Sequence, residues 1–223
     1  MRLALLISLV SCVSEARLKV AFIDTGVKTA YSNTLCENID VTGEGTNDII
    51  GHGTNILGLL SKGIAKEDVC FISIKYFRER DTPWENHAHF FAALDKALAI
   101  ENLYMVNLSL AGESSNFFEK RKLGQLLNKG VKVVVSAGND ALDLDKSCDI
   151  FPACYIQELP KLLVIGSLSP YSNIGSMITT FRQGDNQCGF GVCLTGTSQA
   201  TANYSNELLK DVLNYGKSSK RSK

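Results

Sequence analysis

Asp24, His52, Asn139 and Ser198 occur in that order, within Ile23-Asp24-Thr25-Gly26, Gly51-His52-Gly53-Thr54, Ser136-Ala137-Gly138-Asn139 and Gly196-Thr197-Ser198-Gln199-Ala200. Acyl transfer through a serine needs a hydroxyl nucleophile, an imidazole base, a carboxylate to orient that base and a donor for the oxyanion. The four segments supply each part, and Asp, His, Ser is one of three known chain orders for such a set. Taken singly, Asp-Thr-Gly is an ordinary turn, His-Gly-Thr a helix start and Gly-Thr-Ser an N-cap. Their joint occurrence in this order carries the signal.

Rival chemistries fail on the residues available. A paired-aspartate site needs two carboxylate motifs, and only one Asp-Thr-Gly is present. A nucleophile elbow of the α/β-hydrolase kind needs its acid and histidine after the serine, whereas His52, His87 and His89 all precede Ser198. His87 and His89 are two apart on a predicted helix and point away from each other, so no metal site is expected there.

Apolar periodicity along the chain places these groups on particular elements. Residues 18–23 form an apolar run of strand formers that stops at Asp24, and residues 33–51 read as a polar loop with at most a short strand. Ile56, Leu57, Leu59 and Leu60 have helical spacing and put His52 in the first turn of a helix over 52–61. Further strands are predicted over 69–76, 104–110 and 131–136, with helices from Pro83 to about residue 102 and over 117–128. The first of these helices should turn Trp84, Phe91, Leu94 and Leu98 inward. The last third reads as short strands over 162–165, 177–180 and 190–194, then a helix from Thr197 to about residue 213. This alternation predicts an α/β fold with a mostly parallel central sheet and helices on both faces, binding ligands beyond the carboxyl ends of its strands. Asp24, Ser109 to Gly112 and Asn139 all fall at such ends.

A chain of 223 residues, 45% of them hydrophobic, can bury one large core. Lys plus Arg and Asp plus Glu are both 23, so no nucleic-acid partner is expected. Met1-Arg2, the apolar stretch to Val10 and Ser14-Glu15-Ala16 read as a signal peptide over 1–16. The expected organisation is therefore a leader, one domain over 17–215 and a disordered basic tail over 216–223. Leu9-Val10-Ser11-Cys12 resembles a lipobox, which would instead anchor the protein to the envelope membrane through a lipid on Cys12. A secreted or periplasmic monomer is the expectation, with the lipid-anchored form as its alternative.

Without Cys12 six cysteines remain, and an even count behind an export signal points to disulfides. Six allow fifteen pairings. The short intervals make Cys148 with Cys154 and Cys188 with Cys193 the simplest choice, leaving Cys36 with Cys70. The alternative is that some, Cys70 above all, are small buried hydrophobes in strands.

Over nearly all of residues 18–213 the chain resembles the subtilisin-like serine endopeptidases, on the four segments above. The resemblance implies that Ser198 attacks the scissile carbonyl, His52 shuttles the proton, Asp24 holds the imidazole and Asn139 donates to the oxyanion. It further implies that Ser109, Leu110, Ala111 and Gly112 pair with an extended peptide or protein substrate. Leu110 to Gly112 with Ser136, Ala137 and Gly138 would wall the pocket for the residue before the cut, with Ile150 near its floor and Arg80 to Thr82 flanking the peptide. A branched floor predicts a small or medium apolar residue there. No cofactor is expected; the family admits calcium, but no acidic loop is specific enough to assign a site.

Several residues depart from the family pattern. Asn55 stands where a second histidine is usual, Gln199 where methionine is common, and Ala111 where glycine is usual. No room for a folding propeptide exists between Ala16 and Leu18, so unaided folding or help in trans is expected. The competing expectation is an inactive envelope module that keeps the peptide groove without turnover.

Overall fold

The computed structural model describes residues 17–221, with side chains to residue 216. The expected signal peptide, the lipobox cysteine and the last two residues of the tail lie outside the described residues.

Seven parallel strands form the central sheet: β1 (Leu18–Asp24), β2 (Leu35–Asp40), β3 (Val69–Lys75), β4 (Leu103–Leu108), β5 (Lys132–Ser136), β6 (Leu163–Ser167) and β7 (Thr180–Arg182). Their spatial order is β2-β3-β1-β4-β5-β6-β7. All neighbours in it are parallel. Four helices cover it: α1 (His52–Leu60), α2 (Pro83–Ala99), α3 (Phe117–Asn128) and α4 (Thr197–Arg221).

The two-residue period of the strands explains why both faces are covered. In β1, Ala21 and Ile23 join the α2–α3 layer, packing with Leu94 and Leu123, while Val20 and Phe22 join the α1–α4 layer with Ile56 and Leu209. Val106 and Met105 divide in the same way, as do Val133 and Val134. Strands buried on both sides read as continuous apolar runs, and this is why their positions were predictable.

Three predicted details change. The buried stripe of α2 is Phe90, Ala93, Leu94 and Ala97, while Trp84 is 81% exposed. That stripe follows the i, i+3, i+4, i+7 rule, and its two alanines allow close approach to α3, a contribution that weighting by side-chain size hides. Next, the strand expected over 190–194 is one arm of an antiparallel hairpin, β8 (Gln187–Gly189) with β9 (Val192–Leu194). Finally, α4 continues to Arg221 through most of the tail expected to be disordered. No proline follows Pro170 to stop it, and the single Gly216 costs only about 1 kcal/mol of helix propensity.

Disulfides join Cys36 to Cys70 between β2 and β3, Cys148 to Cys154, and Cys188 to Cys193 across the β8–β9 hairpin. Among the described residues no helix is long and apolar enough to cross a membrane.

Candidate active site

β1 delivers Asp24 at its carboxyl end, and α1 begins on His52 itself. Gly53 permits this junction: a Cβ there would lie 2.2 Å from the Gly26 carbonyl oxygen and 3.1 Å from Asp24 Oδ1. His52 Nδ1 lies 2.7 Å from Asp24 Oδ1, which also accepts from Thr25 N at 2.8 Å. A carboxylate only accepts, so the imidazole proton sits on Nδ1 and Nε2 is left with a free lone pair. Asp24 is 3% exposed, whereas the His52 side chain reaches solvent. Burial alone would pull the imidazole pKa down; the charge and hydrogen bond of Asp24, with the charge of Asp48, outweigh it, and the net shift is upward.

Asp48 was not expected from the sequence, where residues 33–51 read as a loop. Its carboxylate is buried and accepts from Thr25 Oγ1 at 2.9 Å, Gly51 N at 2.7 Å and Thr54 N at 2.9 Å. Thr25 Oγ1 in turn accepts from Gly53 N at 2.9 Å. One carboxylate thereby joins the turn after Asp24 to the first turn of His52's helix and satisfies its orphan N–H groups. The signal was present: an Asp four residues ahead of His52 is the residue type that caps helix starts.

Ser198 lies in the first turn of α4, where a backbone N–H has no intrahelical partner and the helix dipole favours negative charge. Asn139 Oδ1 accepts from Thr197 N at 2.8 Å. With its oxygen so engaged, the Asn139 amide turns its Nδ2 donor to the other side. Ser198 Oγ donates to the Ser109 carbonyl at 3.0 Å, and Ser109 Oγ donates back to the Ser198 carbonyl at 2.9 Å. Ser109 Oγ also accepts from Asn107 Nδ2, whose side-chain oxygen accepts from Ser205 Oγ on α4. A buried polar chain therefore pins α4 to the end of β4. Asn107 opens a glycosylation sequon in the sequence; fully buried, it serves packing instead.

Asp24, His52, Ser109, Asn139 and Ser198 line one cavity of about 410 Å³, together with Leu110, Ala111, Ser136 and Gly138. Ser136 Oγ donates to the Leu110 carbonyl at 2.9 Å, and Gly112 exchanges two backbone hydrogen bonds with Phe151. The Ser109–Gly112 strand is thus held along one edge. Gly112 and Ile150 line a second, adjoining cavity, and Ala137 is wholly buried beneath. Gly138 has φ 97° and sits 2.4 Å, measured from a would-be Cβ, from Asn173 Nδ2. Asn173 binds the Ala137 carbonyl and the Asp140 and Leu142 N–H groups, holding the Asn139 loop from below. Tyr76 and Phe77 line both cavities, while Arg80 turns outward to Glu44. His87 bonds the Pro83 carbonyl and His89 bonds Asp81. Among the described residues no His, Cys, Asp or Glu group is arranged to hold a metal ion.

No family model matches the chain. Proteinase T of Parengyodontium album is 27% identical over 200 residues, covering 80% of this chain and 66% of that protein, so the chain spans about two thirds of its relative's length. The crystal structure of a cold-adapted subtilisin-like serine proteinase matches with a TM-score of 0.69 at 20% identity, covering 88% of this chain and 76% of that one. The chain is thus similar in sequence to a subtilisin-like proteinase and shares its fold with another.

Two of the departures from the pattern of these proteinases meet in space. Asn55 Nδ2 donates to the Gln187 and Val192 carbonyls of the β8–β9 hairpin, and Asn55 Oδ1 accepts from Gln199 Nε2 at 3.1 Å. A mutually satisfied pair of amides thus stands behind Ser198 where the resemblance implies a histidine and a methionine.

Proposed function

We propose that the protein is an exported serine endopeptidase that hydrolyses peptide bonds through Asp24, His52 and Ser198. The observation that carries this reading is the 2.7 Å bond from His52 to a buried Asp24 in the same cavity as Ser198 and Asn139.

In this reading, rotation about χ1 takes the Ser198 hydroxyl from the Ser109 carbonyl to His52 Nε2. His52 accepts the proton as Oγ attacks the scissile carbonyl, and Asp24 stabilises the imidazolium and holds its tautomer. Asn139 Nδ2 and the Ser198 N–H meet the developing oxyanion, aided by the α4 dipole. The imidazolium returns its proton to the leaving amine, and water then attacks the acyl-enzyme by the same route with the roles reversed. An extended peptide would lie along Ser109 to Gly112, where main-chain hydrogen bonds supply affinity without sequence preference.

Three disulfides support an oxidising, extracytoplasmic location. The test is labelling with an active-site-directed fluorophosphonate, beside peptide cleavage. Wild type should label and Ser198→Ala should not; folded protein that shows no Ser198-dependent labelling would point to a peptide-binding module instead.

A further inference from the structure

Beyond Leu110 and Ala111 lies the second cavity, of about 550 Å³, which shares those two residues and Tyr76, Phe77 and Asp140 with the catalytic one. Its walls include the aromatic rings of Tyr76, Phe77, Phe90 and Phe151, and α2 and α3 add two polar groups with unusual surroundings. Glu119, in the first turn of α3, is 4% exposed. Burial pushes its carboxyl up to about 8, offset only in part by the Tyr155 hydroxyl. On α2, Asn86 lines the same cavity, and its Oδ1 is buried with no hydrogen-bond partner among the described residues. Every Asp, Glu, Lys or Arg of the lining is acidic, namely Glu113, Glu119 and Asp140. Lys120, next to Glu119 in the chain, pairs with Glu158, and Arg78 pairs with Asp81.

An unpartnered acceptor and a buried carboxyl beside aromatic walls lack one thing, a long cationic donor with an apolar stem. We propose that this cavity receives an arginine side chain of the substrate, and that Glu119 is the specificity-determining residue that pairs with its guanidinium while Asn86 Oδ1 accepts a further hydrogen bond. The methylene stem lies along Leu110, and the planar head stacks on aromatic faces as it binds the carboxylate in bidentate fashion. An arriving cation favours the ionised carboxylate, so Glu119 gives up its proton to solvent as the pair forms. This rests on the endopeptidase reading, and it places the arginine beside the residue over Ile150.

The test compares peptides that differ only by arginine or its uncharged isostere citrulline, scanned across the positions flanking the cut. At one position wild type should favour arginine by about tenfold or more in kcat/KM, as expected for a charged hydrogen bond in a shielded site. In Glu119→Gln the ratio should fall to near one, and in Asn86→Leu it should shrink; a ratio cancels general effects on catalysis. Preference for citrulline in wild type, or an arginine preference that survives Glu119→Gln, overturns the proposal. Fluorophosphonate labelling of wild type checks the endopeptidase reading separately. If labelling fails, fluorescence anisotropy of the same two peptides still decides the pocket, since the arginine peptide should bind more tightly to wild type and not to Glu119→Gln.

Discussion

Asn55 Oδ1 accepts from Gln199 Nε2 at 3.1 Å, joining the helix that carries His52 to the helix that carries Ser198. Both side chains are buried. Gln199→Met removes the donor and leaves a buried oxygen unsatisfied, which should cost about 1–3 kcal/mol in chemical unfolding. Asn55→Ala should cost more, because the Gln187 and Val192 carbonyls also lose their donor. A double-mutant cycle should give a non-additive coupling, and strict additivity would deny the pair its role.

Activity should rise with pH through an acid limb above the ordinary imidazole value of 6.5, since the pKa of His52 is raised and the base must be neutral to work. Asp48→Asn removes one of the charges that raise it, so the limb of kcat/KM should move to lower pH. The same upward shift adds stability fully present below about pH 6.5 and lost as pH climbs through the folded-state value. A limb unmoved in Asp48→Asn would assign Asp48 to capping alone.

Asn139→Ala removes the proposed oxyanion donor together with the acceptor of Thr197 N. Loss of one such donor typically lowers kcat about 100- to 1000-fold with little change in KM. Steady-state kinetics on one peptide suffices; a rise in KM at constant kcat would place Asn139 in ground-state binding.

Glu119 makes the wild type sensitive to alkali. Its folded pKa of about 8 lies above the ordinary 4.5, so its neutral form stabilises the fold fully below about pH 4.5 and that contribution is lost as pH rises through about 8. Glu119→Gln should therefore gain stability over wild type with rising pH, by up to about 4 kcal/mol. Urea unfolding at pH 5 and pH 9 measures it, and equal differences at the two pH values would contradict the shift.

Reduction should lower the melting temperature, with Cys36–Cys70 contributing most. It closes 34 residues against 6 and 5 for the others, and loop-closure entropy for that length amounts to about 3–4 kcal/mol. Cys36→Ser with Cys70→Ser should reproduce most of the loss seen with reductant.

The amino-acid sequence alone singled out the proposed reacting set, because chain order and element ends are local properties: Asp24 ends an apolar run, His52 opens a helical stripe, and no histidine follows Ser198 to serve another order. It determined the layered α/β fold for the same reason, since strands buried on two faces are apolar throughout. What only the tertiary structure decided are relations between residues far apart in the chain whose types carry no signal singly. Asn55 with Gln199, Asp48 beneath the His52 helix start, Asn173 under the Asn139 loop, and Glu119 in one cavity with Asn86 each consist of polar residues common on any surface. Hydrogen bonding is directional and reaches only about 3 Å, so such partners exist only once the sheet has set helix against helix, and a buried polar group then acquires a cost, a partner or an altered charge that its sequence neighbours never announced.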